Sequence, residues 1–248
     1  MKQPKMIWGR MIWGAQLAIV LLCALALKQY YSTATANELR WILAPTTLIV
    51  ELLSGRSFVF ESYTGYMSSD QRFVIAVPCA GVNFLITAFV MLALRRLWNG
   101  RFESVSWRFL PISMALSYLA TVIANAMRIV IALEIQRRSV EVSWLTENQL
   151  HRLEGIVVYF GFLMVLFVLI ERGNSRKIWV FPLVIYYAMT LGVPLVNGSF
   201  YRAGFWEHFG FVIVMPPLIL LLIALCFALR TVPSAVAPFR SLSKAPSD

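Results

Sequence analysis

Three side chains of this sequence could do chemistry together: Cys79, Arg128 and His151. A thiol is a nucleophile, an imidazole moves protons near neutrality, and a guanidinium can hold an oxyanion; these are the parts of an acyl transfer. Cys79 lies in Pro78-Cys79-Ala80-Gly81-Val82-Asn83-Phe84. Proline favours the first turn of a helix, so the spacing predicts Cys79 in that turn. There the free N–H groups and the helix dipole favour a thiolate. Ala80 and Gly81 leave room for a substrate backbone. The alternative is a buried cysteine at a helix start. Arg128, in Asn125-Ala126-Met127-Arg128, is the one basic residue deep within an apolar run. A charge at that depth is costly and points to function. Asn125 lies one turn away on the same face. The alternatives are a structural pair with Glu134 or a side chain snorkelling outward. His151 opens His151-Arg152-Leu153-Glu154-Gly155, and Glu154 shares its helical face and could orient the ring. A solvated interfacial histidine is the alternative. His208, the only other histidine, is the reserve base.

The remaining cysteines, Cys23 and Cys226, sit inside apolar runs and read as small buried apolar residues. Three cysteines without regular spacing make no disulfide framework. Cysteine and histidine show no metal-site spacing. No metal and no cofactor are expected.

The elements that must position these residues are membrane helices. Of 248 residues 59% are apolar and 14% charged, against about 25% charged in soluble domains. The apolar residues form runs near the roughly 20 residues that cross a bilayer. The spans read as 11–27, 78–97, 109–135, 153–171, 178–196 and 209–229. The expected fold is an all-α polytopic membrane protein of six to eight helices, in a single domain over 1–231. Residues 232–248 read as a disordered cytoplasmic tail. The stretch 41–53 is apolar but short, which favours an interfacial or re-entrant element. Residues 57–61 and 72–75 are β-prone around a turn-rich centre, predicting a small hairpin insertion on the outer face. Ala34-Thr35-Ala36 resembles a signal-peptide cleavage site but lies far beyond the first run, so that run reads as a retained anchor.

Orientation follows from the loops. With the N-terminus inside, thirteen Lys and Arg fall in inner segments and eight in outer ones, while nine of the twelve acidic residues fall outside. The positive-inside rule then places both termini in the cytoplasm. Trp8, Trp13, Trp98, Trp107 and Trp179 fall near the inner interface, and Trp41, Trp144 and Trp206 near the outer one. The net charge of +10 sits in short connections rather than on a basic helix face, so nucleic acid is not an expected partner. This topology uses none of the three reactive residues, yet it brings all three within about two turns of the outer face.

Pro-Cys-Ala-Gly-Val-Asn at 78–83, Asn-Ala-Met-Arg at 125–128 and His-Arg-Leu-Glu-Gly at 151–155 resemble, in order and spacing, the signature of the exosortase and archaeosortase family. With Leu-Ala-Pro and Glu-Leu-Leu-Ser-Gly within 43–55, the wording around Cys79 looks most like exosortase K. The similarity covers about residues 40–170. It implies catalytic roles for Cys79, Arg128 and His151, with Asn125, Glu154, Gly81, Asn83 and Gly155 in support. It implies a multi-pass enzyme of a prokaryotic plasma (inner) membrane. Its substrates would be exported proteins whose C-terminal signal combines a short motif, a membrane helix and a basic cluster. The bilayer is then a partner and the active site faces outside. Members are associated with surface attachment and exopolysaccharide production. Two readings compete: a transporter using Arg128 as a counter-charge, and a non-catalytic scaffold for surface-polymer assembly.

Overall fold

The computed structural model describes residues 3–100, 106–138, 146–171, 180–198, 201 and 204–231. The tail from 232 and the loop carrying Trp144 lie outside them, as does Trp179. Among the described residues five helices are long and apolar enough to cross a membrane: Trp8–Thr33 within α1 (Gln3–Thr33), Val77–Asn99 around α3 (Val82–Asn99), α4 (Phe109–Arg137), Asn148–Ile170 within α5 (Glu147–Ile170), and Phe205–Cys226 within α8 (Phe205–Thr231). The expected run 178–196 is shorter among the described residues: Val180–Val196, made of α6 (Val180–Tyr187), a π-helical turn (Ala188–Gly192) and α7 (Val193–Val196). The run 41–53 becomes α2 (Arg40–Ser54), which at 15 residues is about 22 Å long and falls short of a hydrocarbon core of about 30 Å.

Helix α3 is the centre. Of its most apolar window 72% is buried, against 17% for α1 and 11% for α8. α1, α4, α5 and α6 pack around it, and α8 packs on α5 and α6. The outer helices turn apolar side chains outward: Leu21, Leu22 and Leu25 on α1, and Leu218, Leu221 and Leu222 on α8. A soluble protein rarely leaves apolar patches of that extent uncovered, whereas lipid tails solvate them.

Helix α4 inverts the pattern of a soluble amphipathic helix. Ser113, Ser117, Thr121 and Asn125, each one turn from the next, are buried, while Ile112, Leu119 and Ile123 are exposed. Small and weakly polar residues let membrane helices approach closely, and their hydroxyls bond back to the helix, as Thr121 Oγ1 does to the Ser117 carbonyl at 2.6 Å. Arg128 follows Asn125 on the same side of this helix.

Two prolines inside helices are matched by tyrosines. Pro45 cannot donate to the Trp41 carbonyl four residues back, and Tyr118 Oη of α4 donates to it instead at 2.8 Å. Pro217 leaves the Ile213 carbonyl of α8 without its helical donor, and Tyr187 Oη of α6 donates to it at 2.8 Å. Away from water such groups must find a protein partner.

Between α2 and α3 lies a three-stranded antiparallel meander, β1 (Phe58–Glu61), β2 (Gly65–Ser68) and β3 (Val74–Ile75). The two β-prone runs do not pair with each other. Gly65–Ser68, read from sequence as turn, is the central strand, with Phe58 opposite Ser68 and Tyr66 opposite Ile75. Gly65 takes φ +115°, and a side chain there would meet the Ile75 carbonyl oxygen, so only glycine lets this strand run so close to β3. Glu51 Oε1 accepts the Phe58 N–H at 2.7 Å and ties the sheet to α2.

Candidate active site

Strand β3 leads within two residues into a 3-10 turn, Val77–Ala80, which carries Cys79. The Cys79 N–H closes the turn on the Ala76 carbonyl at 2.8 Å. Gly81 then takes a left-handed conformation, φ 71° and ψ 11°, and α3 starts at Val82. Cys79 therefore precedes α3 instead of occupying its first turn. Pro78 starts the short turn, and Gly81 breaks the path into the long helix. The first-turn dipole argument for the thiol loses force accordingly.

Gly81 is held tightly. A Cβ there would come within 3.1 Å of Asn125 Cγ and 3.2 Å of Thr121 Cγ2. The missing side chain lets the Cys79 turn sit on the polar stripe of α4. Asn125, fully buried, donates from Nδ2 to the Cys79 carbonyl. Its Oδ1 accepts from Tyr159 Oη of α5 at 2.9 Å. Tyr159 Oη accepts in turn from Arg128 Nη1 at 3.2 Å, and Arg128 Nη2 lies 2.7 Å from His151 Nε2. His151 Nδ1 lies 3.3 Å from Glu154 Oε2. One chain of contacts thus runs from the Cys79 turn to Glu154 across the near ends of α3, α4 and α5.

The chain fixes a tautomer. A guanidinium only donates, so His151 Nε2 must be the acceptor and the ring proton sits on Nδ1, facing Glu154. The Glu154 contact is at ion-pair distance but is not aligned as a hydrogen bond. Both carboxylate oxygens are buried without a hydrogen-bond partner among the described residues. Arg128 Nε is likewise buried and unbonded, packed where Gly155 leaves space; a Cβ on Gly155 would stand 3.4 Å from it. Tyr31 Oη of α1 donates to the Val77 carbonyl of the Cys79 turn at 3.5 Å.

The alternatives weighed for Arg128 fare differently. Glu134 does not pair with it but with Arg137 and Arg138, each at 3.5 Å. Arg128 lies nine residues before the end of α4, about 14 Å along the helix and deeper than the expected span end implied. His151 sits in the second turn of α5, not ahead of the helix. Thr146 caps α5, accepting the Gln149 N–H at 3.3 Å while the Gln149 side chain accepts the Thr146 N–H at 2.8 Å.

Not every expected residue joins the chain. Asn83 is exposed, and its Oδ1 accepts from Lys28 Nζ of α1 at 2.8 Å. His208, on α8, lies beside Arg152, which pairs with Glu207 at 3.1 Å. Cys23 is half-buried, and Cys226 is exposed on α8 instead of buried. Tyr159 was missed: a tyrosine in an apolar run reads as an interfacial ring. No local signal marks it, because its partners lie on α3 and α4.

No family model matches this chain, and no curated protein and no solved structure matches it either.

Proposed function

We propose that this protein is a membrane-embedded cysteine protease or transpeptidase that cleaves C-terminal sorting signals of exported proteins at the outer membrane face. The observation that carries the reading is the contact chain from the backbone of the Cys79 turn through Asn125, Tyr159 and Arg128 to His151 and Glu154. Residues from three segments far apart in sequence meet there, and their side chains are those that acyl transfer requires. The sequence resemblance to the exosortases and archaeosortases supports it separately.

In this reading the substrate's C-terminal helix lies in the bilayer beside the enzyme, with its scissile peptide at the outer interface. The Cys79 thiol proton passes to His151 Nε2, and the sulfur bonds to the substrate carbonyl carbon. Arg128, with backbone N–H groups at the start of α3, holds the resulting oxyanion. The C–N bond breaks as His151 returns the proton to the leaving amine, which leaves a thioester on Cys79. Water or a surface amine then attacks the thioester, giving its proton through His151 to the departing thiolate. Arg128, donating to Nε2, keeps the resting imidazole's proton on Nδ1, and Glu154 stands at ion-pair distance to balance the imidazolium that forms. Asn125 keeps the nucleophile's turn in place. The enzyme would sit in a prokaryotic plasma membrane with both termini cytoplasmic.

The test is processing of an exported reporter ending in a short motif, a membrane helix and a basic cluster. The wild type should yield a thioester on Cys79 detectable by mass spectrometry, and Cys79→Ala should leave the reporter intact. Continued processing by Cys79→Ala would sink the proposal. A transporter reading predicts instead that flux in proteoliposomes survives Cys79→Ser.

A further inference from the structure

We infer that Tyr159 is a positioning residue for the Cys79 site: its hydroxyl locks the Arg128 guanidinium to the Asn125 side chain that holds the Cys79 turn. The inference rests on the reading of Cys79 as the nucleophile, but its test needs no substrate.

The hydroxyl is used in both directions. It accepts from Arg128 Nη1 at 3.2 Å and donates to Asn125 Oδ1 at 2.9 Å. Asn125 has then only its amide to offer, and that amide goes to the Cys79 carbonyl. The phenol therefore also fixes which way Asn125 points. With the amide reversed, Asn125 would face the Cys79 carbonyl with an oxygen, and two acceptors would meet. The ring is held independently of the hydroxyl, stacked on Phe84 of α3 with centroids 5.1 Å apart and 16° between planes. The Arg128 guanidinium carbon stands 5.5 Å from the ring centroid. Tyr159 thus spans α3, α4 and α5 at the level of the Cys79 turn. Removing one oxygen frees Arg128 Nη1 and leaves Asn125 Oδ1 without its donor, while the Phe84 stack keeps the ring in place. The guanidinium would then keep only His151 of its two side-chain anchors beside the Cys79 turn.

The experiment measures alkylation of Cys79 by iodoacetamide, resolved by peptide mass spectrometry, on the full-length protein in lipid nanodiscs at pH 7 and pH 10. An ordinary thiol is only a few per cent thiolate at pH 7 and fully ionised at pH 10. Tyr159→Phe should slow alkylation roughly three- to tenfold at pH 7 and leave it unchanged at pH 10. Loosened packing alone would change both rates together. Arg128→Gln should give the same pH-selective loss, and adding Tyr159→Phe to it should cause no further loss, because one residue acts through the other. Tyr187→Phe, which removes a hydroxyl bond between α6 and α8, should leave both rates as in the wild type. Equal rates for wild type and Tyr159→Phe at pH 7, or independent losses in the double variant, would overturn the inference. Failure of the protease reading shows up elsewhere, as processing that survives Cys79→Ala.

Discussion

At the residue scale the site is defined by what each group is able to donate. Arg128 serves two acceptors from its two terminal nitrogens, the Tyr159 hydroxyl and His151 Nε2. A lysine has one nitrogen and no fork, so it cannot reach both. Arg128→Lys should therefore lower reporter processing by about 10²–10³, the usual cost of losing an oxyanion donor. The same geometry makes two states of His151 exclusive: a protonated imidazole has no lone pair for Arg128. Each turnover in the proposed mechanism must therefore break and remake that contact. The glycines give a graded prediction. Gly81 has positive φ and close contacts to Asn125 and Thr121, so Gly81→Ala should cost about 1–2 kcal/mol and displace the Cys79 turn. Gly155→Ala meets Arg128 at ordinary contact distance and should be milder. Thermal unfolding in detergent, read beside processing rates, separates the two.

At the element scale, what was legible in the sequence depended on how local the determinant was. Asn125 beside Arg128 and Glu154 beside His151 follow from helical spacing and were read correctly as neighbours. The starts of α3 and α5 were misread by a few residues. The left-handed Gly81 and the Thr146 cap set those boundaries, and neither alters hydrophobic periodicity. Tyr159 and the pairing of Tyr118 with Pro45 were invisible, because each partner lies on another helix. The proline–tyrosine pairs make a direct prediction. Tyr118→Phe should destabilise by about 0.5–1.5 kcal/mol, the net worth of one hydrogen bond. In a Pro45→Ala background the residue at 45 supplies its own N–H, and the penalty of Tyr118→Phe should largely vanish. An additive double variant would contradict this account. Just past the end of α5, Arg95 Nε donates to Glu171 Oε2 at 2.6 Å. That bond holds the Glu171 carboxyl below its ordinary value of 4.5. A depressed carboxyl contributes stability that is present above the unfolded value and lost as pH falls through the folded one. Unfolding temperature should therefore fall on acidification below pH 4.5 in the wild type, and fall less in Glu171→Gln.

At the scale of the whole molecule, four helices of membrane-crossing length among the described residues surround or flank a fifth, α3, with apolar faces turned outward. Composition made the membrane class legible, because charge depletion needs no knowledge of contacts. The π-helical turn that divides the 180–196 element was harder to read, because it leaves no mark on hydropathy. The proposed orientation has its own test. In a variant free of other reactive cysteines, a membrane-impermeant thiol reagent applied outside the cell should label a cysteine at the fully exposed Tyr63 and not one at Arg101. Labelling at Arg101 from outside would invert the topology and move the candidate site to the other face.

The two proline–tyrosine bonds also bear on the order of assembly. A ribosome makes α6 before α8, so Tyr187 is waiting when Ile213 emerges, 26 residues later. Helix α2 has no such advantage. Its Trp41 carbonyl must wait for Tyr118, a further 77 residues along the chain. At typical elongation speeds that is roughly 4–15 s. Throughout that interval water is the carbonyl's remaining source of a hydrogen bond. Helix α2 thus gains this bond only once α4 has been made.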